Sequence, residues 1–233
     1  MTLEPRKPRE TLERKLKKHR DDILALSSMV EQSIHKSVDA LKKQDFTQAK
    51  LVYENDQRIN QKRYEIEHDA LTTVATQQPM ASDLRKLSSI IDLAGELERI
   101  GDYAKGIARI VLRIGEEPLL KSLDIIPHMA EITADMLHRA VDAFINLDES
   151  AALKIADEDD RVDDLYNLLY QDLLEVMFND RDAIDQATFL LWVSHNLERS
   201  ADRVTNICER VVFTVSGDMV EFDRSDDEIE EKI

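Results

Sequence analysis

The sequence predicts an all-α protein built as two tandem, pseudo-symmetric three-helix bundles, with six long helices in all. Three observations predict it. Apolar residues recur at spacings of three and four, the period of a helix with one buried stripe. Glycine and proline, which interrupt helices, number only five each in 233 residues. The chain also repeats itself: Leu97-Glu98-Arg99 with Asp102 returns as Leu197-Glu198-Arg199 with Asp202, one hundred positions later.

The repeat extends well beyond that motif. Ile34-His35-Lys36-Ser37-Val38-Asp39-Ala40-Leu41 matches Leu137-His138-Arg139-Ala140-Val141-Asp142-Ala143-Phe144 at an offset of 103. The same offset pairs Asp45 with Asp148, Asp56 with Asp159 and Arg58 with Arg161. After Pro79 the offset falls to 100, pairing Glu98 with Glu198 and Asp102 with Asp202, so one loop differs by three residues.

In the first half, Ile23, Leu26, Val30, Ile34, Val38 and Leu41 form the stripe of a first helix ending near Lys43. Asp45 then offers an N-cap for a second helix running to about Gln77. Pro79 breaks the chain, Ser82 is the expected cap of the third helix, and Leu84, Leu87, Ile91, Ala94, Leu97 and Ile100 carry its stripe towards Ile114. Gly115 and Pro118 separate the halves. The second half repeats the scheme with helices over about Leu120 to Asn146, Asp148 to Phe178 and Asp180 to Val215. Long helices joined by short turns pack antiparallel. The expected units are a first bundle over 10–116, a second over 119–216 and an acidic, flexible tail over 217–233.

Charged residues make up 34% of the chain and the formal net charge is −17, which excludes a nucleic-acid binder, since phosphate contacts need a basic surface. Arginine and lysine crowd the start while aspartate and glutamate crowd the tail. Cys208 is the one cysteine, which rules out an intrachain disulfide or a Cys-based zinc site. No stretch reaches the 18 to 20 apolar residues of a membrane span, and the charged start does not read as a signal peptide. The expectation is a cytoplasmic protein. A glycine-rich phosphate loop, a nucleotide fingerprint and a nucleophile beside a suitable histidine are all missing, so no enzyme activity is expected.

Glu98 and Asp102, like Glu198 and Asp202, sit four residues apart on one helix face, where two like charges are unfavourable without a cation. Helix rise places their partners. With the turn at Pro79, Asn60 and Asp56 lie 19 and 23 residues before it and Glu98 and Asp102 lie 19 and 23 after, all roughly 30 Å from the turn. With the second turn near Asp180, Asp163 and Asp159 face Glu198 and Asp202 in the same way. Isolated acidic pairs are common on helix surfaces, where Arg58, Arg99, Arg161 and Arg199 neutralise them. Duplication and matched height point instead to oxygen-rich metal sites for iron, manganese, magnesium, zinc or calcium. Asn60 and Gly106, standing opposite Asp163 and Asn206, make the first site the poorer. His195, three residues before Glu198, and Asn206, one turn beyond Asp202, are further candidate ligands.

These residues resemble the PhoU family of phosphate-uptake regulators. The resemblance rests on Pro79-Met80-Ala81-Ser82-Asp83-Leu84-Arg85 followed by Glu96-Leu97-Glu98-Arg99-Ile100-Gly101-Asp102-Tyr103-Ala104, and on Asn196-Leu197-Glu198-Arg199-Ser200-Ala201-Asp202-Arg203-Val204-Thr205-Asn206-Ile207. It implies two PhoU-type bundles and multinuclear metal clusters on the doubled motifs. It further implies a homodimeric cytoplasmic protein that restrains the high-affinity phosphate ABC transporter and a phosphate-sensing histidine kinase, meeting the membrane only through them. Asp83, Arg85, Arg99 and Arg199 are the implied partner contacts. Two other readings compete: a ferritin-type di-iron carboxylate protein, which needs Glu-x-x-His pairs from several helices, and a metal-free helical adaptor.

Overall fold

The computed structural model describes residues 8–120 and 124–222. Among them are seven helices: α1 (Pro8–Lys43), α2 (Phe46–Gln77), α3 (Ser82–Ile114), α4 (Ile125–Asn146), α5 (Glu149–Ala156), α6 (Asp160–Asn179) and α7 (Ile184–Ser216). Helices α1 to α3 form one three-helix bundle; α4, α5 with α6, and α7 form the other. No helix among the described residues is long and apolar enough to cross a membrane.

The caps show the duplication at atomic detail. Asp45 accepts from the Gln48 amide at 2.9 Å, and Asp148 accepts from the Ala151 amide at 3.0 Å. Each cap follows a residue in the left-handed region, Gln44 at φ 51° and Leu147 at φ 56°. Ser82 does not cap α3. It is already the first helical residue, and the preceding turn is closed by Asp83 and Arg85 amides donating to the Met80 and Ala81 carbonyls. Helix α4 begins five residues later than expected, because Gln186 of α7 holds the linker, accepting from the Leu120 amide and donating to the Pro118 carbonyl.

The long second helix expected in the second half is broken into α5 and α6 at Asp157–Asp159. Four consecutive acids, Asp157 to Asp160, crowd like charge where the first half has Glu54-Asn55-Asp56-Gln57. Aspartate is also a poor residue for a helix interior. Arg139 of α4 then seizes Glu158 through two hydrogen bonds of 2.8 and 2.7 Å and fixes the turn. The break leaves Asp159 and Asp163 at the N-terminal end of α6, where the helix dipole favours negative charge.

The core runs through both bundles. α3 packs on α1, α2 and α7, while α7 packs on α3, α4, α5 and α6, so the equivalent helices α3 and α7 form the main junction, with α1 packed on α4 beside it. Leu97, Ile100, Leu197 and Val204 are fully buried. A buried hydrogen bond of 2.7 Å from Thr214 to Ser89 crosses the same junction. Residues 217–222 return along α7, with the Phe222 amide on Glu209. The remainder of the acidic tail lies outside the described residues.

One buried polar contact carries a testable consequence. Thr73 donates to the Asp69 carbonyl, so it accepts from His19 Nε2 at 3.0 Å and leaves the buried His19 Nδ1 without a hydrogen-bond partner. Burial, aided by Lys18, lowers the imidazole pKa below its ordinary 6.5. The neutral form belongs to the folded state, so its contribution to stability is present above pH 6.5 and is lost as pH falls towards the lowered folded value. Urea unfolding should show stability falling as pH drops below 6.5, and His19→Gln should flatten that slope.

Candidate metal centre

Helix α7 presents Glu198 and Asp202 to the start of α6, and there the second acidic set converges. Asp159, Asp163 and Asp202 each place a carboxylate oxygen within 4.8 Å of the other two. Asp159 Oδ1 is buried and has no hydrogen-bond partner. Burial pushes the Asp159 carboxyl up to about 8, with further contributions from Asp202, Asp163 and Glu198. Glu198 therefore lies close enough to act on this group while standing outside the tight trio. A set of oxygen donors that repel one another, one of them without a partner, suits a hard cation.

The two further candidates are engaged elsewhere. His195 is more than half exposed, and its Nδ1 lies 3.2 Å from Glu198 Oε2, so it touches the cluster only through that glutamate. Asn206 donates to Glu96 of α3 at 3.2 Å. Pseudo-symmetry explains this contact. Where α3 crosses α7, residue 96 faces 206 and residue 106 faces 196: a Cβ on Gly106 would stand 2.9 Å from Asn196 Oδ1. Gly106 thus makes room for a side chain of the other bundle. The cluster draws on α6 and α7 and lacks the paired Glu-x-x-His elements of a ferritin-type site.

The first set also assembles at matched height, but around a different cation. Lys105 Nζ lies 2.6 Å from Asp56 Oδ2 and 3.6 Å from Asp102 Oδ1, and Asn60 donates to the same Asp56 oxygen at 3.0 Å. Burial raises the Glu98 carboxyl above its ordinary value, Asp102 and Asp56 raise it further, and Arg63 at 4.0 Å opposes them. Asp56 is buried whereas Asp102 is half exposed. Among the described residues, three mutually close carboxylates occur in the second bundle alone. Sequence reasoning missed Lys105. The signal was present, since the offset of 100 sets Lys105 against Thr205.

Three of the four residues expected to meet a partner are held within the chain. Asp83 is buried under Arg9 at 2.6 Å and Lys86 at 3.4 Å. Arg85 lays its guanidinium along Gly217, the residue that ends α7 with φ 89°. Arg199 pairs with Asp202 at 2.8 Å, and Tyr103 of the other bundle bonds it as well. Arg99 is exposed. It lines a groove of about 650 Å³ among α2, α3 and α7, together with Arg63, Glu98, Asp102, Asn206 and Arg210.

Two helical bundles joined along α3 and α7, with an acidic cluster at the same place in each, define a duplicated helical-bundle protein. The family model described as PhoU domain matches residues 23–111 and again 126–211. The chain belongs to the PhoU family. It is 32% identical over 214 residues to the phosphate-specific transport system accessory protein PhoU homolog of Clostridium acetobutylicum, covering 91% of this chain and 98% of that one. It is 35% identical over 201 residues to the PhoU accessory protein of Escherichia coli, covering 85% and 82%. Its structure is similar to the phosphate transport system regulatory protein PhoU of Streptococcus pneumoniae, with a TM-score of 0.84 and 31% identity over 91% of this chain and 100% of that one. PhoU from Pseudomonas aeruginosa gives a TM-score of 0.84 at 33% identity, over 88% and 99%.

Proposed function

We propose that this chain is a cytoplasmic accessory protein of phosphate transport that restrains uptake by the high-affinity phosphate ABC transporter and holds down the phosphate-starvation response, using bound metal as a structural element. The observation that carries the regulatory part is the likeness, across nearly the whole length of both bundles, to proteins named as accessory or regulatory to phosphate transport. The partners in this reading are transporter subunits and a phosphate-sensing histidine kinase, and the working form is a homodimer. Arg99, exposed on the groove between the bundles, is the proposed contact residue.

Asp159, Asp163 and Asp202 would hold the metal, with Glu198 beside them. An ion there would add positive charge to four neighbouring acids whose nearby cation is Arg199, paired with Asp202, and so draw α6 onto α7. Iron and manganese fit the all-oxygen donor set, as do magnesium and calcium. Deleting the gene and measuring phosphate uptake and alkaline phosphatase with phosphate in ample supply tests the regulatory part. Both should rise several-fold. Unchanged values would overturn it.

A further inference from the structure

We propose that Lys105 is the resident cation of the first bundle, and that the cluster of Asp56, Asn60, Glu98 and Asp102 is for this reason closed to metal. The inference concerns the first bundle alone and holds whether or not the second binds an ion.

Position is the first ground. Lys105 Nζ takes the place between α2 and α3 that a shared cation would need, touching Asp56 at 2.6 Å and approaching Asp102 at 3.6 Å. A metal ion bound by both carboxylates would collide with that ammonium and be repelled by it. The remaining donor set is poor too, because Asn60 turns its amide N–H, a donor, towards Asp56.

Comparison of the two bundles supplies the second ground. The Lys105 ammonium also lies over the ring of Tyr53, 5.6 Å from its centroid, an attractive cation–π placement. Tyr53 corresponds to Ala156 at the offset of 103, Asn60 to Asp163, and Lys105 to Thr205. The second bundle thus lacks the ammonium and the ring that steadies it, and has gained a carboxylate. Three acids around a lysine in one bundle stand against four acids in the other, where no lysine sits between the helices and the nearby cation is Arg199 on Asp202. The three exchanges act in one direction: each suits a built-in cation in the first bundle or an external one in the second.

Manganese loading tests this in a background that silences the second cluster. Metal-stripped Asp159→Asn/Asp202→Asn protein, exposed to Mn²⁺ and desalted, should retain none by elemental analysis. Adding Lys105→Thr, which copies the second bundle, should restore about one ion per chain, and Asp102→Asn placed on top should remove it. Manganese should also raise the unfolding midpoint of the Lys105→Thr protein, a readout independent of biological activity. Should Lys105→Thr not fold, Lys105→Met keeps the aliphatic stem and is scored in the same way. Manganese held by the parent double variant and lost on Asp56→Asn would overturn the proposal, as would a Lys105 variant that takes up none. Wild-type protein that binds no manganese would instead refute the metal in the second bundle, leaving the Lys105 result to stand or fall by itself.

Discussion

Asp159→Asn should stabilise the metal-free protein at pH 8, on the order of 3 kcal/mol, an unusual direction for a substitution at a partly buried charged residue. Asp159 is held among Asp163, Glu198 and Asp202, and its carboxyl is pushed from 3.8 up to about 8. A carboxyl raised in the folded state favours its neutral form there. Its contribution is therefore fully present below about pH 4, declines as pH rises, and is gone once pH passes about 8. Urea unfolding in chelator should show wild-type stability falling between pH 5 and pH 8, and the asparagine variant should fall much less. The variant also loses a ligand, so added metal should stabilise wild type and leave Asp159→Asn unchanged. The two effects have opposite signs, which separates charge relief from a general packing change.

Lys105→Met should do the reverse in the first bundle. Asp56 is 3% exposed, and among the described residues its ionic partner is Lys105. Removing one member of a buried pair strands the other, and with Lys105 itself about one third exposed the cost should be about 2–3 kcal/mol. Asp56→Asn removes the stranded charge, so the double variant should recover most of the loss. The coupling from such a double-mutant cycle, read by urea unfolding in chelator, should exceed about 1 kcal/mol. Additive effects would mean that the two side chains do not act as a pair.

The helices and their pairing were legible because helix geometry is nearly one-dimensional. A fixed rise per residue puts Asp56 and Asn60 level with Glu98 and Asp102 once the turn at Pro79 is known. Asp45 announces itself as a cap, since a short side-chain acceptor just before an apolar period has few other uses, and the repeat carries the same role to Asp148. Contacts across the α3–α7 junction are a different matter. That Asn206 reaches Glu96, or that Gly106 yields to Asn196, depends on a crossing that no spacing in either helix encodes. The break at Asp157–Asp159 follows from four adjacent acids together with the grip of Arg139, and the second of these is tertiary. Lys105 was readable in principle. It stands one turn beyond Asp102, on the face that carries the acids of the first set.

Metal retained by the second cluster is the most direct test. Metal-stripped wild type and the Glu198→Gln/Asp202→Asn variant are incubated with Mn²⁺, desalted, and measured for bound manganese and for unfolding midpoint. Wild type should retain manganese and unfold at a higher temperature than its stripped form, and the variant should do neither. Equal manganese in both proteins, or none in wild type with a midpoint indifferent to chelator, would contradict the account.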